Sequence, residues 1–183
     1  MTAHTLLMCV PMLALLVWAA AEDIRSRRIP NWLTIALGLS GIMQSWMLGH
    51  TVTPLQSILG WLSGLGLLFV LFAIGAVGAG DVKLLAGVGA WIGPLLVAEV
   101  FALEALIGMA IVLVQSMQQH RVRTLLRNSA VIAINLIHVS QLGADHVQET
   151  GQSAQSVERP LPYAVPVLLA TVAVVLLAYL TGR

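Results

Sequence analysis

The sequence predicts an all-α fold: a polytopic membrane bundle of about six transmembrane helices, with a possible amphipathic helix on the membrane surface. Three observations predict it. The 183 residues are 58% hydrophobic and 9% charged, with a mean hydropathy of +0.92. Soluble domains carry about 25% charged residues, so this chain cannot cover a water-facing surface. Its apolar residues fall in runs of about 20, the length that crosses hydrocarbon as a helix. Its basic residues also sort to one side of those runs.

Length and composition imply one membrane-embedded domain, residues 1–183, with a loop at 118–159 inside it. The single cysteine, Cys9, excludes an internal disulfide and a cysteine-built zinc site. His4, His50, His120, His138 and His146 are scattered without metal-ligand spacing, so neither metal nor cofactor is expected. Basic residues come in short groups, which excludes a nucleic-acid module. The first apolar run ends in Ala19-Ala20-Ala21, like a signal-peptidase site. No Lys or Arg precedes it and three arginines follow. That charge order is opposite to a signal peptide's, so the run reads as a retained span.

Span one is about Thr5–Ala21, with Pro11 tolerated as membrane helices tolerate proline. The basic loop Asp23–Pro30 follows. Span two is about Asn31–Leu48, and a short polar turn ends at Pro54. Span three is about Leu55–Val77, where Gly60, Gly64 and Gly66 allow close helix packing. Gly78-Ala79-Gly80-Asp81 breaks the run. From Val82 to about Met117 two readings stay open. A turn at Gly93-Pro94 leaves span four about 11 residues, about 17 Å of helix, and places Asp81 inside the membrane zone. Otherwise Pro94 only kinks a longer span. Gln118–Arg159 is polar overall. Its apolar piece Ser129–Leu142 fits an amphipathic surface helix, with a sixth span of seven as the alternative. The last span is about Leu161–Leu180.

With six spans and the Asp23–Arg28 loop inside, every basic residue of the nine except Arg183 falls on the cytoplasmic face. Asp23 and Asp81 fall there too. Between Asn31 and Gly80 there is no Asp, Glu, Lys or Arg. Each aspartate therefore bounds a long apolar run, where an ionisable group calls for an explanation. Two neighbouring carboxylates that share one proton can hydrolyse a peptide: the ionised one activates water and the protonated one polarises the carbonyl. Which aspartate plays which part is open, because such a pair titrates as a unit. Gly78 and Gly80 would let a substrate backbone approach Asp81, and they permit backbone angles closed to other residues. A plain inter-span turn also uses glycine. Asp23 could equally cap its helix or pair with Arg27.

Gly78, Gly80, Pro30, Asn31 and Lys83 are expected to form the supporting loops of the site: Pro30 suits the opening of span two, and Asn31 could position the loop. Lys83 suits an acidic part of a substrate, or more simply a snorkelling anchor. Glu99 and Glu104 are intramembrane acids and functional candidates by default. With a turn at Pro94, Glu99 lies near the outer surface. Trp18, Trp32, Trp46, Trp61 and Trp91 suit an interfacial belt.

The stretch Asp23-Ile24-Arg25-Ser26-Arg27-Arg28-Ile29-Pro30-Asn31, taken with Gly78-Ala79-Gly80-Asp81-Val82-Lys83, resembles the type IV prepilin peptidases. These are membrane aspartic peptidases of the Gly-x-Gly-Asp class. The likeness is to their short form, found with Flp pili and tight-adherence systems. It covers the first span, both motifs, their separation and the six-span layout. Arg159-Pro160-Leu161-Pro162-Tyr163-Ala164 also looks like the family's proline-tyrosine opening of the last span. The resemblance implies catalytic Asp23 and Asp81. It implies cleavage of the short basic leader from prepilins and pseudopilins at the cytoplasmic face of the bacterial inner membrane, just before their hydrophobic helix. The paired cysteines of the long members are missing, so N-methyltransferase activity is not expected. Two other readings use the same residues differently: an ion- or proton-coupled transport component, and a non-enzymatic scaffold of a secretion or pilus machine.

Overall fold

The structure, a computed structural model, describes residues 8–47, 52–73, 77–119, 127 and 162–182. All regular structure in them is helical. The helices are α1 (Val10–Ser26), α2 (Asn31–Met47), α3 (Pro54–Ala73), α4 (Ala79–Gln118) and α5 (Ala164–Leu180). By length and composition α3 and α4 can each cross a membrane, and α5 is shorter but equally apolar. Large apolar side chains face outward along the bundle, among them Val17, Leu55, Phe69, Val70 and Leu177. So much exposed apolar surface suits lipid rather than water. The expected surface helix and most of the 118–159 loop lie outside the described residues.

Gly93 decides the architecture. It has φ 82 and ψ 177, outside the helical region, and Pro94 follows it. A side chain at that positive φ would be strained, so glycine suits the position. Residues 79–92 and 94–118 are therefore two helical arms. They fold back on each other: a Cβ built on Gly89 would lie 3.3 Å from Val97 Cγ2. Eight residues along one straight helix would separate them by about 12 Å. Of the two readings open for this stretch, the turn at Gly93-Pro94 is the one observed. Gly93 packs against Val52 and Gln56 at the far end of the bundle, and Glu99 lines a cavity with them. Glu99 thus sits at the end opposite Asp81, as expected for a turn at Pro94.

The turn has a hydrogen-bond cost, which side chains of neighbouring helices offset. Ala90 O would ordinarily accept from residue 94, but proline has no N–H. Ser57 Oγ on α3 donates to Ala90 O at 2.7 Å. Gln44 Nε2 on α2 donates more weakly to Trp91 O at 3.4 Å. Trp91 Nε1 donates to Leu37 O at 2.9 Å. Trp91 is therefore a core residue, 4% exposed, and not part of an interfacial belt. Trp18, midway along α1, meets Trp32 at the start of α2 edge to face at 5.2 Å. Ser57→Ala is expected to lower stability by about 1 kcal/mol, read as a lower unfolding midpoint in detergent. An unchanged midpoint would mean that the Ala90 carbonyl finds another donor.

The first arm of α4 is the central rod. Residues 82–93 are buried, Lys83 excepted, and most are apolar or small. A helix that is apolar all round must be enclosed. On one side α3 approaches backbone to backbone. A Cβ on Gly60 would collide with Gly89 O, and one on Gly89 with Gly60 O. A Cβ on Gly64 would sit 2.7 Å from Leu85 O. On another side α2 packs through Gly41 against Ala90 and Trp91, and Leu37 fits over Gly87. Gly66 does not share this role, since a Cβ there meets nothing within 4 Å.

Candidate active site

Asp23 lies in the last turn of α1, not in the loop after it. The helix outruns the apolar stretch because its hydrogen bonding continues: Arg27 N–H donates to Asp23 O at 2.9 Å. Arg27 then ends the helix in the left-handed region at φ 55. That conformation is uncommon without glycine, and it leads the chain into Arg28-Ile29-Pro30. Pro30 O accepts from Leu33 N–H at 3.1 Å and Thr34 N–H at 3.4 Å, so Pro30 stands just before α2 and Asn31 is its first residue.

Asp81 lies in the first turn of α4. Its Oδ2 accepts from Gly78 N–H at 3.1 Å. A capping box would need a side chain at Gly78 as well, so only half of one is present. The glycines act through size rather than through unusual angles. Gly78 has φ −77 and ψ 153, and among the described glycines only Gly93 and Gly182 have positive φ. A Cβ on Gly78 would lie 3.3 Å from Asp81 Oδ2, and one on Gly80 would lie 3.4 Å from Ile29 Cβ. The two small residues let the 27–30 loop and the Asp81 carboxylate sit close.

One cavity of about 300 Å³ joins these pieces. Asp23, Arg27, Arg28, Ile29, Asn31, Gly78, Gly80 and Asp81 line it. Two aspartates from separate motifs thus share one chamber, and they interact electrostatically. Asp23 is 6% exposed and Asp81 is half-buried. Two of the predicted supporting residues stand elsewhere. Pro30 is not among the lining residues. Lys83 Nζ donates to Asn31 Oδ1 at 3.1 Å, tying α4 to α2. Its side chain lines a separate apolar groove with Ile35, Gly38 and Trp61.

The last helix also contributes. Ala164 N–H donates to Asp23 Oδ2 at 3.0 Å. This donor is one of the first-turn amides of α5 that have no partner within the helix, and the helix dipole favours a carboxylate there. Tyr163 O–H donates to Glu104 on the returning arm of α4. Glu104 in turn interacts electrostatically with Asp81. The hairpin explains this: Asp81 and Glu104 lie almost equally far from Gly93 along the two arms. The link from α5 to Asp23 was invisible in sequence, because a backbone donor leaves no residue-type signature. Glu104 did carry a signal, as an acid within an apolar run. Among the described residues no three metal-ligating side chains cluster.

Helices with apolar exteriors around a chamber holding two aspartates define a class of membrane protein with acid-base capacity at one end of its bundle. A model of the type IV leader peptidase family matches residues 10–113, more than half of the sequence. The chain belongs to that family. The match includes both aspartates and Glu104 and ends before α5. No curated protein and no solved structure matches the chain.

Proposed function

We propose that the chain is a membrane aspartic endopeptidase that removes the short basic leader from type IV prepilins or pseudopilins. The observation that carries this reading is the shared chamber of Asp23 and Asp81. Membership of the leader peptidase family supports the same substrate class. The two carboxylates hold one proton between them. The ionised carboxylate takes a proton from water as its oxygen attacks the scissile carbonyl. The protonated carboxyl donates to that carbonyl oxygen. Collapse of the tetrahedral intermediate breaks the C–N bond, and the amine leaves with a proton from the pair. An extended substrate backbone would enter the chamber that Gly78 and Gly80 line beside Asp81.

The bundle crosses the membrane six times, counting each arm of α4 as one pass. Arg25, Arg27 and Arg28 at the aspartate end support a cytoplasmic position for that end, by the positive-inside bias. The substrate's hydrophobic helix stays in the bilayer while its leader reaches the chamber. The test is co-expression with a tagged prepilin, with leader loss followed by mass. The native chain should remove the leader; persistence of the uncut form would refute the proposal.

Sharing one proton also sets a pH dependence. In acid both carboxyls are protonated and no base remains. In alkali both are ionised and no acid remains. The processing rate of the reconstituted full chain is therefore expected to be bell-shaped in pH. A profile that only rises or only falls would count against the pair.

A further inference from the structure

Two consecutive residues at the start of α5 grip different helices. Tyr163 O–H reaches Glu104 Oε1 on the returning arm of α4, and Ala164 N–H reaches Asp23 Oδ2 on α1. Neither Glu104 nor Tyr163 lines the aspartate chamber. Glu104 is only 3% exposed, and its Oε2 has no hydrogen-bond partner among the described residues. A carboxyl buried with half its bonding capacity unused is costly. An apolar side chain would pack the same helix surface without that cost. An acid kept at such a position therefore has a use beyond filling space.

We propose that Glu104 is a positioning residue: through Tyr163 it fixes the N-terminus of α5 and so aims the Ala164 amide at Asp23. The inference rests on the aspartate-pair reading above. Tyr163 and Ala164 share a peptide bond, so a displaced phenol displaces the amide. The amide on Oδ2 sets the rotation of the Asp23 carboxylate, and hence its approach to Asp81. Glu104 acts only as the acceptor for the phenol, so a neutral amide at 104 can take its place.

The test uses the full chain in nanodiscs with a tagged prepilin. Two readouts are taken: kcat and KM for leader removal, and the rate at which dicyclohexylcarbodiimide modifies Asp23, located by mass spectrometry. Tyr163→Phe and Glu104→Ala are expected to lower kcat about tenfold or more, leave KM within about twofold, and speed modification of Asp23. Glu104→Gln keeps the acceptor oxygen and is expected to keep both readouts near native. If Glu104→Ala fails to fold, Tyr163→Phe removes a single hydroxyl and carries the test alone. Native kcat and native modification in Tyr163→Phe would overturn the proposal. So would a Glu104→Gln variant as impaired as Glu104→Ala, because the carboxyl itself would then matter. The modification readout needs no turnover. A native chain that leaves the prepilin uncut sinks the peptidase reading, while the pattern of Asp23 modification still decides the positional link.

Discussion

Asp81→Asn is expected to abolish leader removal, by on the order of a thousandfold or more, while leaving the fold in place. The substitution separates two roles of one carboxylate. As a helix cap, Asp81 only accepts the Gly78 N–H, and the asparagine Oδ1 can accept the same bond. As half of a catalytic pair it must carry and release a proton, which an amide cannot do. A processing rate near native would make Asp81 a cap and nothing more. Asp23→Asn makes the matching case, since its amide oxygen can still take the Ala164 N–H. Both variants should unfold at native temperatures in detergent. The alanine variants lose the hydrogen bonds as well, so they cannot make this distinction.

Gly89→Ala carries the largest expected loss of stability. Its new Cβ would meet Gly60 O on α3. The obstacle is backbone, which no rotamer change can clear, so α3 must move off the central rod. Overpacking typically costs about 1–3 kcal/mol, and a backbone collision between two central helices belongs at or above the upper end. Gly60→Ala makes the reciprocal collision and should cost as much. Gly66→Ala and Gly108→Ala are the controls, because a Cβ at either meets nothing within 4 Å. Unfolding midpoints of the four variants in one detergent decide it. Equal midpoints would mean that α3 and the first arm of α4 do not touch through these glycines. Displacing α3 also shifts the chain leading into Gly78 and Asp81, so Gly89→Ala should lose processing together with stability.

Much of this was legible in the residue order. Long uncharged runs require helices in lipid, because each backbone polar group must be satisfied within its own segment. The same runs isolate Asp23 and Asp81, and the arginines beside Asp23 assign both to one face. Glu104 was legible as an anomaly but not as a group within electrostatic reach of Asp81, since which distant residues approach one another depends on how the chain turns. The Gly93-Pro94 step left two outcomes open in sequence. Proline permits either a kink or a reversal, and local preference does not choose between them.

The sequence by itself determined the helical class, the apolar exterior, and the two acids that break the apolar pattern. These follow from side-chain chemistry, which needs no partner to be read. Only the tertiary structure decided that α4 reverses at Gly93, because Ser57 and Gln44 on other helices supply donors to the carbonyls before the turn. It alone moved Lys83 out of the aspartate chamber and Trp91 into the core. It alone brought the α5 amide onto Asp23. The physical reason is common to all four. Backbone donors, steric fit between glycines and the direction of a side chain are properties of helices packed together, and no single stretch of chain encodes them.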